Sequence, residues 1–227
     1  MLEYVKNNYD SLVYEIGEMS RKAGREITLV GVTKSGTDPE VLALAECGIG
    51  DIGENRPQML VARRELLRAG GYTPRLHEIG NLQRNKVKHI IEDVHLIHSL
   101  SSYELALEID KQAERVGRRV PVLIEVNSAE ERAKGGILPS DVPDFYLKVR
   151  ELPSLEVSGL MTMGPVCENI EDIRPYFRLT RQLFDNINKT YGFPCEPILS
   201  MGMSDSYAIA IEEGATLVRV GTKLFKK

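Results

Sequence analysis

The 227-residue sequence contains no tryptophan, only three cysteines, and no apolar run that approaches the length of a membrane span. Cys47, Cys167 and Cys195 are odd in number and far apart, and the absence of a Cys-x-x-Cys pair argues against a disulfide framework and a zinc site. The first ten residues include charged side chains and no apolar segment typical of a secretion signal. Together these absences predict a protein that stays in the cytoplasm, away from membranes.

The sequence also lacks an excess of positive charge. Its 29 lysines and arginines are outnumbered by 33 aspartates and glutamates, and the formal net charge of -4 argues against a general nucleic-acid-binding protein. Hydrophobic residues make up 42% of the chain, which is enough for a core of ordinary size. Because α/β barrels of about 200 to 250 residues commonly remain undivided, we interpret residues 1–227 as a single domain.

The sequence does have a regular alternation of short apolar runs with helix-like segments. An amphipathic N-terminal helix is predicted to end at Gly24, and about eight strands then alternate with helices. The first strand, 27–32, is apolar throughout, which is typical of a strand covered on both faces. The pattern predicts an α/β fold, a single (β/α)8 TIM-type barrel with an extra N-terminal helix; a doubly wound open sheet is the alternative.

A lysine, Lys34, ends the first apolar run in the sequence LVGVTK. Ligands collect at the carboxyl ends of parallel strands, and a lysine that is partly desolvated there is more readily deprotonated. Its neutral amine can then form a Schiff base with a carbonyl compound. The alternative is a lysine that closes the strand and reaches into water.

Two loops rich in glycine and serine or threonine follow the seventh and eighth predicted strands, where a TIM barrel commonly binds phosphate. Glycine allows a ligand to approach the backbone, and a hydroxyl group donates hydrogen bonds to phosphate oxygens. Each residue can also be explained as an ordinary turn or cap residue. The loops read SMGMSDS and GTK and supply Ser200, Met201, Gly202, Ser204, Gly221 and Thr222.

Arg219 lies inside the apolar last strand, TLVRVG. A buried guanidinium needs an acceptor, which could be a core carboxylate or a ring nitrogen of a cofactor. A reactive lysine, a phosphate loop and a buried arginine together match the aldehyde, phosphate and ring nitrogen of pyridoxal 5′-phosphate. Asn55, after the second strand, could hydrogen-bond near the phenolic oxygen of this cofactor or could cap a helix.

Other polar residues are weaker candidates for a site. His95 and His98 are spaced so that they lie on opposite faces of a strand, and a metal site shared by them is not predicted. His77 lies in the third predicted strand without an assigned role. Lys134, in the sequence AKGG, is expected to face solvent, and the basic residues of LQRNKVKH are interpreted first as a solvated helix face.

The chain resembles the pyridoxal phosphate homeostasis proteins of the YggS/PROSC type, which are similar to the N-terminal barrel of alanine racemase. The resemblance covers about residues 27–225 through the motifs GVTK, GENRPQ, HEIGNLQRNKVK, IEVNSAEERAKGG, GLMTMGP, LSMGMSDSY and VRVGTKLF. It implies a carrier or regulator of intracellular pyridoxal phosphate, with apo enzymes as candidate recipients and no catalytic or metal-binding residue. The candidate cofactor residues are Lys34 for the Schiff base, Asn55, Ser200, Met201, Gly202, Ser204, Arg219 at the ring nitrogen, Gly221 and Thr222.

The sequence departs from the family at a few positions. The family commonly has an aromatic residue after the GEN motif, where this chain has Arg56 and Pro57. It often has a tryptophan where this chain has Leu76, and a serine where this chain has Gly135. These substitutions leave the Schiff-base and phosphate positions intact, and they affect the mouth of the pocket.

Three functions remain open: a non-catalytic carrier, an amino-acid racemase, and a class I aldolase that would use its lysine on a sugar phosphate. Alanine racemases supply one acid–base group from a second, β-rich domain of a partner chain, and this sequence ends at Lys227 without one. The same difference predicts a monomer. Arg219 favours the carrier, because a guanidinium does not protonate the ring nitrogen and leaves the ring a poor electron sink. A visible absorption band would distinguish the cofactor from a sugar.

Overall fold

The computed structural model describes residues 2–131 and 135–227, in which eight parallel strands form a closed barrel. The strands are β1 (Thr28–Val32), β2 (Asp51–Glu54), β3 (Arg75–Glu78), β4 (Leu96–Leu100), β5 (Val120–Glu125), β6 (Leu155–Met161), β7 (Ile198–Ser200) and β8 (Leu217–Val220). Strand β8 closes the barrel on β1, with Thr28 opposite Leu217. The predicted (β/α)8 barrel is confirmed, and the open sheet is wrong. Lys134 lies outside the described residues.

Helices alternate with these strands. They are α1 (Glu3–Ala23), α2 (Asp38–Glu46), α3 (Pro57–Ala69), α4 (Tyr103–Arg115), α5 (Val142–Val149), α6 (Arg174–Tyr191), α7 (Tyr207–Glu212) and α8 (Thr222–Phe225). Short 3₁₀ helices span Arg84–His89, Pro139–Asp141 and Ile170–Ile173. Among the helices of the described ranges, none combines the length and apolar character that a transmembrane segment needs.

Local sequence signals explain where several helices begin and end. Helix α1 ends at Gly24, whose φ of 64° is the left-handed conformation that glycine adopts at low cost. Thr37 and Glu40 form a capping box at the start of α2. Ser102 caps α4 by accepting a hydrogen bond from the Leu105 amide at 3.2 Å.

One predicted helix has a different geometry. The sequence LQRNKVKH, interpreted above as one face of a helix, forms the 3₁₀ helix Arg84–His89 and not an α-helix. Val87 and Ile90 are both fully buried, and they are three residues apart. Because a 3₁₀ helix has three residues per turn, it places these two side chains above one another on the core side.

The barrel interior has an apolar layer and a polar layer. Val30, Leu96, Leu123, Met161 and Leu217 form a buried cluster inside the strands. Polar side chains from β2, β3, β4, β7 and β8 are buried in the same interior, because strand residues alternate between its two faces. This polar layer ends at the carboxyl ends of β7 and β8, where ligand sites of TIM barrels are found.

Helix α1 lies across the seam between the first and last strands. The Asn8 side-chain amide donates hydrogen bonds to the carbonyl oxygens of Leu224 at 3.2 Å and Lys226 at 2.8 Å. Just past the end of the helix, Arg25 Nε donates to the Ala215 carbonyl at 3.1 Å. The helix therefore ties the end of the barrel to its beginning.

Candidate functional site

Lys34 lies directly beyond β1, and its side chain is exposed. The structure therefore places the amine at the carboxyl end of the strand, as expected, but in solvent contact and not desolvated by the protein. Buried hydrogen bonds fix the backbone on either side. Thr33 Oγ1 donates to Glu54 Oε1 at 2.6 Å, and the Gly36 carbonyl accepts from Arg63 Nη2 at 2.6 Å.

Glu54 and Arg63, which hold this loop, were not among the predicted site residues. Arg63 Nε lies 3.2 Å from Glu54 Oε1, and the side chains are 5% and 1% exposed. Arg63 also pairs with Asp38 at the start of α2. A signal was available in the sequence, because Arg63 occupies the same buried face of α3 as Leu60 and Leu67.

The loops after β7 and β8 meet, as the sequence predicts. The Gly221 amide donates to Ser204 Oγ at 3.3 Å, and this contact joins the two loops. A β carbon at Gly221 would lie 3.0 Å from the Val32 carbonyl oxygen, which places the loop against the end of β1. The loops are therefore held beside the segment that carries Lys34, and Thr222 follows at the start of α8.

Gly202 needs to be glycine for two reasons. Its φ is 92°, and a β carbon there would lie 2.5 Å from the Ala210 β carbon. Its carbonyl accepts from the Arg219 amide at 3.1 Å. The neighbouring Met201 is fully buried. Gly202 therefore lets the loop turn back over α7 while Met201 contributes to the core.

Ser200 faces the barrel interior. Its hydroxyl oxygen accepts a hydrogen bond from Arg219 Nη1 and lies 3.0 Å from His98 Nδ1. The structure thus brings Ser200 together with Arg219, whereas Ser204 lies at the loop with Gly221. Among the predicted phosphate residues, Ser200 is the one whose hydroxyl is directed to the polar layer.

Arg219 is 4% exposed, and in the described ranges its guanidinium hydrogen-bonds to Ser200 and to the Thr162 carbonyl and to no carboxylate. Arg219 Nη2 donates to the Thr162 carbonyl at 3.0 Å. Burial lowers the pKa of Arg219 to about 10, and the charge of Glu125 opposes this shift. The alternative of a core salt bridge is not formed by the described residues, and the guanidinium retains donors for a further acceptor.

His77 and His98 contact each other inside the barrel. His77 Nδ1 lies 3.0 Å from His98 Nε2, and His77 Nε2 lies 2.8 Å from Asp51 Oδ1. His95 is exposed and His98 is buried, as their spacing predicts. Within the part of the chain that the structure describes, no three or more histidine, cysteine, aspartate or glutamate side chains are arranged so that they could hold a metal ion.

Asn55 follows β2 and lines a cavity of about 250 Å³ at the mouth of the barrel. A β carbon at Gly80 would lie 2.1 Å from the Asn55 carbonyl oxygen, so glycine lets the two loops approach. Arg56 and Pro57, which replace the family's aromatic residue, line the same cavity. They therefore lie beside Asn55 at the mouth of the barrel.

Comparison with known proteins gives three informative matches. Residues 8–227 match the family described as alanine racemase, N-terminal domain. The chain is 45% identical over 198 residues to the pyridoxal phosphate homeostasis protein of Aquifex aeolicus, and the alignment covers 87% of this chain and 85% of that protein. It is similar to the structure of PipY from Synechococcus elongatus PCC7942 with PLP bound, with a TM-score of 0.84 and 26% identity over 97% of this chain and 99% of PipY.

An alanine racemase of Clostridium difficile has the same barrel. The TM-score is 0.76 at 17% identity, and the match covers 99% of this chain and 56% of the racemase. At this identity the similarity concerns the fold alone.

Proposed function

The chain belongs to the alanine racemase N-terminal domain family and to its pyridoxal phosphate homeostasis proteins, and on this premise we propose that it binds pyridoxal 5′-phosphate as a carrier or regulator. We propose that residues 1–227 act as one cofactor-binding domain, monomeric and cytoplasmic. Its task would be to keep intracellular cofactor available to apo enzymes and not to catalyse a reaction.

The observation that carries this proposal is the buried guanidinium of Arg219. It uses two donors, on Ser200 and Thr162, out of the five that a guanidinium has. A buried cation without a carboxylate partner is costly, and a ring nitrogen at this place would supply an acceptor. The free donors of Arg219 therefore fit the ring nitrogen of pyridoxal phosphate.

The other residues have roles that follow from their positions. When bound, pyridoxal phosphate supplies an aldehyde that forms a Schiff base with an amine, and we propose that Lys34 is that amine. Ser204 accepts from the Gly221 amide, so its hydroxyl hydrogen is available to a phosphate oxygen. Gly202, Gly221 and Thr222 would complete the phosphate site, and Asn55 would contact the cofactor from the opposite loop.

The absence of robust catalysis is part of the proposal. A guanidinium hydrogen-bonds to the ring nitrogen without transferring a proton to it, because its own pKa of about 10 keeps Arg219 charged at neutral pH. The ring would then remain a poor electron sink. We therefore propose that Arg219 permits binding and disfavours turnover of amino acids.

The test of attachment is a titration of the purified protein with pyridoxal phosphate, followed by borohydride reduction and peptide mapping. A visible band and label on Lys34 are expected, and Lys34→Ala should lose both. Lys223→Ala is the matched control, because Lys223 lies near the phosphate loop but donates to the Tyr207 hydroxyl at 3.0 Å. Label on another lysine, or an unchanged band in Lys34→Ala, would contradict the assignment.

The carrier role needs a separate assay. The loaded protein is incubated with each L-amino acid, and formation of the D-isomer and transamination are followed. In parallel, an apo pyridoxal enzyme is added in the presence of a trap for free cofactor. Reactivation without turnover is the expected result, whereas rapid saturable turnover of an amino acid would favour a racemase or another enzyme.

A further inference from the structure

Five buried polar side chains form a continuous hydrogen-bonded chain across the barrel interior. Asp51 Oδ1 lies 2.8 Å from His77 Nε2, His77 Nδ1 lies 3.0 Å from His98 Nε2, and His98 Nδ1 lies 3.0 Å from Ser200 Oγ. Ser200 Oγ accepts from Arg219 Nη1. We call these residues the interior chain; it joins β2, β3, β4, β7 and β8 and ends at the guanidinium described above.

If both histidines are neutral, the two ends of the interior chain determine the direction of every hydrogen bond in it. Arg219 can only donate and an ionised Asp51 can only accept, so each hydrogen between them points toward Asp51. The Ser200 hydroxyl then donates to His98 Nδ1. The Nε2–H group of His98 donates to His77 Nδ1, and the Nε2–H group of His77 donates to Asp51. Both histidines are neutral in this arrangement, and every polar atom of the chain has a partner.

The charged and titratable groups around the interior chain agree with this arrangement. Burial raises the pKa of Asp51, but hydrogen bonds from His77 and Arg75 outweigh it, and the pKa is lowered. Burial lowers the pKa of His77, with Asp51 opposing and Arg75 reinforcing the shift. Burial also lowers the pKa of His98, and the charges of His77, Arg219 and the exposed His95 lower it further.

We propose that Asp51, His77, His98 and Ser200 are positioning residues, which hold Arg219 in the orientation that presents its free donors to the ring nitrogen of pyridoxal phosphate. The inference rests on the proposed function and extends it to residues on the far side of the barrel. Its physical basis is the Ser200 hydroxyl. Because the Ser200 hydroxyl donates its hydrogen to His98, the lone pairs of Ser200 Oγ face Arg219 and orient the guanidinium.

The arrangement makes Arg219 sensitive to Asp51. Arg75 Nη2 donates to Asp51 Oδ2 at 2.6 Å. In Asp51→Asn the amide oxygen would stay with Arg75, and the NH₂ group would face His77 Nε2, which must then accept. Each histidine tautomer would invert in turn, and Ser200 would receive N–H groups from both His98 and Arg219. The Ser200 hydroxyl hydrogen would then have no acceptor at His98 and would reorient, which changes the direction of the lone pair that faces Arg219 and loosens the guanidinium.

The first test uses the wild-type protein without cofactor. Nitrogen-15 NMR of labelled histidine distinguishes Nδ1–H from Nε2–H tautomers and neutral from charged rings. We expect His77 and His98 to be neutral and protonated at Nε2 at pH 7. An Nδ1–H tautomer or a charged ring at either position would overturn the proposed direction of the chain.

The second test measures the bound cofactor in variants that lie progressively closer to it. Asp51→Asn and Ser200→Ala should each shift the visible absorption maximum and weaken cofactor binding about three- to tenfold, the loss expected for one hydrogen bond. Asp93→Asn is the matched control, because Asp93 lines the same surface cavity as Arg75 but is not in the interior chain. Circular dichroism verifies that each variant is folded.

The outcomes separate this inference from the proposed function. If the wild-type protein shows no visible band with pyridoxal phosphate, the proposed function fails. If the wild-type band forms and folded Asp51→Asn and Ser200→Ala keep its maximum and affinity, the positioning role fails alone. If Asp51→Asn does not fold, Ser200→Ala and the tautomers of the wild-type protein decide the question.

Discussion

Replacing Glu78 with glutamine is predicted to stabilise the protein at neutral and alkaline pH. Glu78 is fully buried at the end of β3, and its Oε1 accepts from the Gly80 amide at 3.2 Å. Its Oε2 has no hydrogen-bond partner among the described residues. Burial raises the pKa of Glu78 to about 8, and the Glu54 charge adds to this effect. The carboxyl group is therefore protonated in the folded protein where it is ionised in the unfolded chain.

The sign and size of the effect follow from this difference in proton binding. The folded state holds one more proton than the unfolded state between pH 4.5 and about 8, so the free energy of unfolding falls as pH rises through this window. Each pKa unit corresponds to about 1.4 kcal/mol, and the whole rise corresponds to about 5 kcal/mol. Glutamine keeps the shape of the neutral acid and cannot ionise. Glu78→Gln should therefore equal the wild type near pH 4.5 and exceed its stability by about 3 to 5 kcal/mol at pH 9.

The assay is urea unfolding of both proteins at pH values from 5 to 9. The difference between their free energies of unfolding isolates the contribution of Glu78, because the histidines titrate in both proteins. Glu54→Gln is the contrasting control: it removes the carboxylate that Arg63 holds inside the protein, and it should destabilise at neutral pH by about 3 to 5 kcal/mol. Parallel pH profiles for wild type and Glu78→Gln, or a less stable variant at pH 9, would refute the reasoning.

Other predictions concern the phosphate loops and the backbone. Ser204→Ala and Thr222→Ala should each weaken cofactor binding about tenfold or more while the visible band remains, because each removes one charge-assisted hydrogen bond; unchanged affinity in both would place the phosphate elsewhere. Gly202→Ala should lower the free energy of unfolding by about 2 to 4 kcal/mol, owing to its left-handed φ and the contact with Ala210. An added β carbon at Gly17 would have no neighbouring atom within 4 Å. Gly17→Ala should therefore stabilise α1 by about 1 kcal/mol, as thermal unfolding would show.

The fold could be predicted from sequence because its signals are local. Strand β1 is a short apolar run, α1 ends at Gly24 as predicted, and each pair of consecutive strands is joined by a helical segment. In a parallel barrel this alternation almost determines the topology. The four-residue helix α8 was missed, since it is too short to show a helical period.

The site could be predicted only in part. Lys34, Ser204, Gly221 and Arg219 could be named as candidates because each lies at or near a strand end, and the carboxyl ends of parallel strands meet. The contact between His77 and His98 depends on the register of β3 and β4 and on the space left by their neighbours, which one sequence does not encode locally. The same holds for the direction of the Ser200 side chain.

The seam between β1 and β8 has a consequence for how the chain folds. Thr28 pairs with Leu217, so closing the barrel brings together positions separated by most of the chain. The loss of chain entropy on closing so long a loop costs about 5 kcal/mol, whereas closing the loop between two consecutive strands costs about 3 kcal/mol. Consecutive strands can therefore pair first, and we infer that the β1–β8 pair forms last, after the folding transition state. The bonds of Asn8 and Arg25 across the seam would then form late as well. They would slow unfolding and not speed folding, so α1 would set the lifetime of the native barrel.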